Sequence, residues 1–403
     1  MMGLLNEIAP LEATQKLIDI SVTERAQFKD CRRRWHLETI DNLAPIGPAP
    51  SALEFGTGVH AALEQYYLSG QQESAMWVGW ETWVQSVKER SEVERERWSE
   101  LLDLIDLGEV MLNNYMKFDK QSKAQLGKVL AVEGVPIEGG YDELPQGPPD
   151  GYPSSATVTR HETGRMQCPI VDPNTKQPIT NAEGLVPHLT GRLDILAERS
   201  TPRKGLWIVD HKTAAAAQND RGLDFDDQVT GYCYIVWRWT GVVPRGAMFN
   251  TLIKAAPSEP RVLQNGTLST AKDQNTLPDL YREALLDRGL MKADRISSEK
   301  HADCLNALLA RGWDNFFRRF EPTRNEHELL AFERQLFAEY RDMAEAKEDA
   351  SRVYKNATTR KCPYCPVNTL CQAMDDGSDA QSVLESRYTQ KPDRKAERVS
   401  VSR

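Results

Sequence analysis
The chain has no uninterrupted apolar run of about 18 residues, the length that a membrane-spanning helix needs. Its first residues, MMGLLNEIAPLEATQ, lack the basic and then apolar pattern of a secretory signal, so the expectation is a soluble, cytoplasmic protein without membrane contact. No Gly-x-x-x-x-Gly-Lys-Ser/Thr phosphate loop occurs, which excludes a fused P-loop ATPase, and there is no internal repeat. Positive charge is in deficit: 50 Lys and Arg face 59 Asp and Glu, a net charge of -9. That balance argues against a protein that coats nucleic acid indiscriminately, although a local basic channel is compatible with it. Cysteine is scarce and odd in number, seven in 403 residues, which speaks against a disulfide framework and for testing metal or cluster ligation.

What is present is a change of period along the chain. Residues from about 20 to 120 read as helices, with a Pro-rich loop over 42–50. Trp77, Trp80 and Trp83 recur there at helical spacing and read as an inward-facing stripe rather than a base-stacking platform. GKVLAVEGVPIE (127–138) then reads as a strand, and 138–188, rich in Gly, Pro, Asp and Thr, as a loop or hairpin insertion. LTGRLDILAER (189–199) and GLWIVDHKT (205–213) read as two strands joined by a turn, followed by a helix over 225–240 and a strand over 246–254. Strands set among helices predict an α/β core. The expected layout is a tail over 1–20, one domain over 21–374 and a disordered polar tail over 375–403. Within the domain we expect a helical part (21–125), an α/β core (126–260), further helices (280–355) and a cysteine-rich knot (360–374).

Three carboxylates fall at or near the ends of consecutive expected strands: Glu133, Asp194 and Asp210. Neighbouring strand ends let such side chains converge, and hard divalent cations want one or two carboxylates together with water and phosphate oxygens. Lys212 lies two residues beyond Asp210, so on a strand it shares Asp210's face and can hold or deprotonate a water, while the backbone carbonyl of His211 offers another oxygen ligand. Asp-x-Lys alone is weak, since about one chance match is expected in a chain of this size. Glu345-Ala346-Lys347 fits the looser acid-x-Lys pattern but lies in an expected amphipathic helix. The plain alternative is a set of strand-end acids in surface salt bridges.

The order of these residues resembles the PD-(D/E)XK nuclease superfamily, in the branch of the RecB nuclease domain, the AddB-type nucleases and the CRISPR-associated exonucleases. Gly56-Thr57-Gly58-Val59-His60 matches that branch's Gly-x-x-x-His, whose histidine is a metal ligand. Glu133 matches the strand glutamate, Gly191 to Asp194 the Gly-x-x-Asp, Asp210 to Lys212 the Asp-x-Lys, and Gln228 to Tyr232 the Gln-x-x-x-Tyr of the following helix. His211 departs from the aromatic residue common at that position, where only the backbone carbonyl is needed. The resemblance implies a restriction-endonuclease-like core, a central mixed sheet flanked by helices. It also implies Mg²⁺ or Mn²⁺ held by His60, Asp194, Asp210 and the His211 carbonyl, and catalysis by Asp194, Asp210, Lys212, Glu133, Gln228 and Tyr232.

Cys362, Cys365 and Cys371 lie within one short segment, one ligand short of a four-coordinate site. In iron-sulfur members of the branch the fourth ligand is a lone N-terminal cysteine, matched here by Cys31, although Arg32 stands where the family usually has Pro. The resemblance implies a [4Fe-4S] cluster, with structural Zn²⁺ as the alternative. A tether from 31 to 362 closes a loop of about 330 residues, on the order of 5 kcal/mol of chain entropy. Cys168, Cys233 and Cys304 read as buried thiols. Arg32, Arg33 and Arg34 are candidates for DNA phosphate contacts at an entrance, or else a solvated charge run.

The resulting expectation is a metal-dependent DNA exonuclease acting on single-stranded ends, 5′ to 3′, in recombination, repair or replication, with any unwinding supplied by a helicase or recombination partner. The alternatives are an inactive DNA-end or protein-binding module on the same fold, and a zinc-stabilised interaction protein.

Overall fold
The computed structural model describes residues 19–391 except 48–49, 92–94, 141–143, 202, 217–219 and 293–294. The expected N-terminal tail therefore lies outside the described residues up to residue 18. Strand β1 (Asp19–Ser21) leads into helix α1 (Val22–Asp30), where Ser21 and Glu24 form a capping box. Helix α2 (Arg32–Trp35) continues into a π-helical turn (His36–Ile40), and strand β2 (Leu43–Pro45) lies inside the stretch read as loop. Three long helices follow: α3 (Ser51–Leu68), α4 (Glu73–Ser91) and α5 (Arg95–Gln121). A Cβ at Gly58 would lie 2.4 Å from the Trp83 ring and one at Gly108 2.2 Å from Trp80, so each indole fills a groove left by a missing side chain. Trp80 and Trp83 are buried, as the stripe predicted.

Strands β3 (Lys128–Val132) and β4 (Val135–Pro136) form a hairpin where one strand was expected. Its two turn residues, Glu133 and Gly134, have φ of 50° and 71°, the positive values that a type I′ turn requires. Glu133 is thus a turn residue and not a strand residue. The expected insertion does hold a hairpin, β5 (Thr159–Arg160) and β6 (Met166–Pro169), but with β7 (His188–Gly191) and β1 it builds a four-stranded sheet ordered β1-β7-β6-β5. LTGRLDILAER is correspondingly split at 192–194: β7 enters that sheet, whereas β8 (Ile195–Arg199) enters the central one.

Strand β9 (Gly205–Ala214) connects through α6 (Asp220–Leu223) and α7 (Asp227–Thr240) to β10 (Gly246–Ile253), parallel to it. An outlying unit follows, with α8 (Pro278–Asp287), the hairpin β11 (Met291–Lys292) and β12 (Arg295–Ile296), and α9 (Glu299–Arg311) around a small core of Tyr281, Leu285, Cys304 and Leu308. Strand β13 (Phe317–Phe320), in a stretch read as helical, returns antiparallel to β10 before the long helix α10 (Glu326–Glu348). The central sheet is therefore mixed, in the order β13-β10-β9-β8-β3-β4. Alternating side chains bury both of its faces: Leu206, Ile208 and Phe249 pack with α7 and α10, while Val209, Met248 and Leu252 pack beneath α3 to α5.

The cysteine knot runs into α11 (Asn368–Asp376), which carries Cys371, and α12 (Ala380–Arg387) and β14 (Tyr388–Gln390) follow. The stretch read as a disordered tail is thus helix and strand as far as residue 390, because β14 pairs antiparallel with β2. Leu37, Leu43, Val367, Leu370 and Tyr388 form the small core that this pairing covers.

Candidate active site
Helix α3 lies over the carboxyl half of β9. Gly56 faces Thr213, whose Oγ1 would be 3.2 Å from an added Cβ, and one helical turn on His60 comes edge-on to the His211 ring at 6.0 Å. The Gly-x-x-x-His spacing thus sets a small residue where the helix meets the sheet and an imidazole at the strand end. Gly191 has a similar cause: a Cβ there would lie 3.0 Å from both Tyr232 and Ile235 on α7, so the loop to Asp194 can approach that helix only without a side chain.

His60, Glu133 and Asp194 each bring a ligand atom within 4.8 Å of the others. The Glu133 amide donates to the Asp194 carbonyl at 2.7 Å, tying the hairpin turn to the β7–β8 loop. His60 Nδ1 lies 3.7 Å from Asp194 Oδ2, which also accepts the His211 amide at 2.7 Å. Sequence reasoning had given Glu133 a catalytic part and left it out of the metal ligands; the turn turns its carboxylate into the ligand group.

Asp210 and Lys212 share the face of β9 toward α7, as the strand period requires. Lys212 Nζ donates to Asp210 Oδ1 at 3.0 Å and lies 2.8 Å from Oδ2. Oδ2 is buried and receives no aligned hydrogen bond. Burial pushes the Asp210 carboxyl up to about 7, Lys212 opposes this, and the Asp194 charge adds to it. Burial pulls the Lys212 ammonium down, but Asp210 outweighs it and the net shift is upward, so Lys212 is a held cation rather than a base. Gln228 Nε2 donates to Tyr232 Oη at 3.1 Å, and burial raises the Tyr232 hydroxyl to about 12, so it stays protonated.

The His211 side chain points to the opposite face, stacked on Tyr67 at 5.7 Å. Asn250 bridges it to deeper groups: its Oδ1 accepts from Arg319 Nε at 3.0 Å, so its Nδ2 must donate, to Tyr115 Oη at 2.7 Å and to His211 Nδ1 at 2.8 Å. Arg319 pairs with the buried Asp119. Burial holds the His211 imidazole well below its usual range, hence neutral. Asn250, Arg319, Asp119, Tyr67 and Tyr115 were invisible to sequence reasoning, since their partners lie on different elements.

The donor set fits a hard divalent cation: two carboxylates and an imidazole already converge, and a buried carboxylate oxygen beside them lacks an aligned donor. The decoy behaves as expected, with Glu345 on α10 paired to Arg352 at 2.6 Å.

Contacts around the cysteines expected to act together tie the N-terminal helices to the C-terminal segment. The Cys31 sulfur accepts the Asn356 amide at 3.4 Å, Cys362 the Thr358 amide at 3.3 Å and Cys371 the Arg33 Nη1 at 3.7 Å. The field of Cys31 acts on Cys365. Cys168 and Cys233 are instead buried thiols, pushed by burial up to about 11 and about 12. Of the arginines expected at a phosphate entrance, Arg32 pairs with Asp342, Arg33 with Asp375 at 2.8 Å, and Arg34 with Glu38 at 2.9 Å, so each has an acidic partner, and Arg33 also reaches the Cys371 sulfur.

No helix among the described residues is long and apolar enough to cross a membrane. Among curated proteins none matches the sequence. The family model of the PD-(D/E)XK nuclease superfamily matches residues 19–372, nearly the whole chain with the helix-flanked mixed sheet and the convergent acids, and the chain belongs to that superfamily.

Proposed function
We propose that the protein is a metal-dependent DNA exonuclease of the RecB-like branch, acting on single-stranded ends. The observation that carries this reading is the pair of buried Asp210 and half-buried Lys212 on one strand face beside the convergent His60, Glu133 and Asp194. His60, Glu133, Asp194, Asp210 and the His211 carbonyl would hold Mg²⁺ or Mn²⁺, which when bound supplies Lewis-acid polarisation of the scissile phosphate and acidifies water. Lys212 Nζ, kept charged by its acidic neighbours, is available to stabilise negative charge as it builds on phosphate oxygens. Gln228 and Tyr232, one turn apart on α7, offer neutral donors to the same side. The Asn250–Arg319–Asp119 chain fixes the His211 side chain and with it the carbonyl that it carries.

A [4Fe-4S] cluster held by Cys31, Cys362, Cys365 and Cys371 belongs to this reading. It is supported by the N–H donors that the Cys31, Cys362 and Cys371 sulfurs receive, which is the pattern thiolate ligands need. A structural Zn²⁺ on the same four thiolates is the alternative, and the metal content of anaerobically purified protein separates the two. The preference for single-stranded ends, the 5′ to 3′ polarity, a helicase or recombination partner and a cytoplasmic role in recombination, repair or replication rest on the resemblance. Comparing linear with circular single-stranded DNA, in Mg²⁺ and in Mn²⁺, tests the exonuclease part: digestion confined to the linear form is expected, and equal cleavage of both would replace it with endonuclease action.

A further inference from the structure
Arg192 stands between Gly191 and Asp194, on the loop that passes from the smaller sheet to the central one, and the reaction above leaves it without a part. Its Nε lies 2.7 Å from Glu133 Oε2, and its side chain is 44% exposed where that of Glu133 is 15% exposed. Neither terminal nitrogen has a hydrogen-bond partner among the described residues. Glu64 is the other acid that feels its charge, and His60 acts on the same carboxylate. The guanidinium therefore holds the carboxylate that a cation at His60, Glu133 and Asp194 requires, while its open fork faces outward. A divalent ion arriving at Glu133 adds positive charge beside Arg192 and weakens its hold. A planar fork with two unused donors is matched by two oxygens of a phosphate.

We propose that Arg192 is a substrate-positioning residue, latched on Glu133 while the metal site is empty and released by the metal to grip a backbone phosphate of the DNA strand. The inference rests on the nuclease reading of this site. By linkage, metal and DNA must each raise the other's affinity, and Arg192 carries part of that coupling. The alternative is that Arg192 merely braces Glu133 in its turn, and the two roles differ in sign. A latch competes with the metal, whereas a brace assists it.

The test is calorimetric titration of Mn²⁺ into metal-free protein without DNA, for the wild type, Arg192→Gln and Arg192→Lys. It is paired with binding of a labelled single-stranded oligonucleotide in Mn²⁺, each variant in a Lys212→Ala background so that the strand stays intact. Arg192→Gln is expected to bind Mn²⁺ about three- to tenfold tighter. It is also expected to bind the oligonucleotide about tenfold more weakly, with the salt dependence reduced by about one phosphate contact. Arg192→Lys keeps the charge and loses the fork, so its Mn²⁺ affinity should stay near wild type and its DNA affinity fall between the two. Weaker or unchanged Mn²⁺ binding by Arg192→Gln, or unchanged DNA binding, overturns the proposal. A wild type that neither binds Mn²⁺ nor cleaves DNA would overturn the nuclease reading itself, and this inference with it.

Discussion

At the scale of single residues, Asp210 decides how the site responds to pH. Its carboxyl sits at about 7 in the folded, metal-free protein because burial disfavours the charge, against about 3.9 in an unfolded chain. Below about pH 4 the group is protonated in both states and costs nothing. Between about pH 4 and 7 the unfolded chain has given up its proton while the folded one still holds it, so stability falls across that window and levels off above 7. Asp210→Asn should therefore melt higher than wild type at pH 8 without metal and close to it at pH 4. Since the cation must displace the same proton, Mn²⁺ affinity should rise up to about tenfold per pH unit below 7 and level off above. A pH-independent Mn²⁺ affinity between pH 5 and 8 would show that Asp210 takes no part in binding. The residues proposed to carry this chemistry were legible in the sequence because each motif is local: period two couples Asp210 to Lys212, and one helical turn couples Gly56 to His60 and Gln228 to Tyr232. Arg192 was written inside a recognised motif, and its pairing with Glu133 depends on a turn that the motif does not describe.

At the scale of elements, the hairpin turn at Glu133 and Gly134 shows what local patterning misses. The run VLAVEGVPIE is apolar enough for one strand, but Gly134 at a φ of 71° reverses it, and the Gly164 carbonyl packs where its side chain would be, 2.0 Å from an added Cβ. Gly134→Val should cost roughly 1–3 kcal/mol of stability and, by displacing the turn, weaken Mn²⁺ binding while leaving iron content unchanged. Thermal melting and Mn²⁺ titration check this together, and an unaltered Mn²⁺ affinity would detach Glu133 from the metal site. The same lesson holds for β13, β14 and the break between β7 and β8. Each depends on a partner strand far away in sequence, and nothing in the local period reports it. The arginines after Cys31 are an instance at shorter range: their sequence reads as a free basic run until Asp342 and Asp375, from the other end of the chain, pair with two of them.

At the scale of the whole molecule, the pairing of β2 with β14 over a shared small core joins the ends of the chain, and the proposed cysteine cluster would be a second tie. Each spans more than 300 residues of sequence: a cluster, as a persistent tether, would restrict the unfolded chain, whereas the strand pairing forms only on folding and bears the closure cost. Cys31→Ser should lose the iron of anaerobically purified protein and lower the melting temperature by several degrees or more, whereas Cys168→Ser should keep its iron. Full iron content in Cys31→Ser would move the fourth ligand elsewhere. The overall architecture followed from the sequence as far as helices around an α/β core. The split into two sheets, the outlying unit around Tyr281 and the ordered C-terminal segment did not, since the contacts that stabilise them are long-range.

The most direct measurement is the release of nucleotides from end-labelled linear single-stranded DNA by metal-reconstituted protein, with wild type and Lys212→Ala run in Mn²⁺ and in chelator. Release is expected from wild type in Mn²⁺ alone and not from Lys212→Ala, whose fold, iron content and melting temperature should stay close to those of wild type. Release by Lys212→Ala at the wild-type rate, or release that persists in chelator, would contradict the assignment of this site.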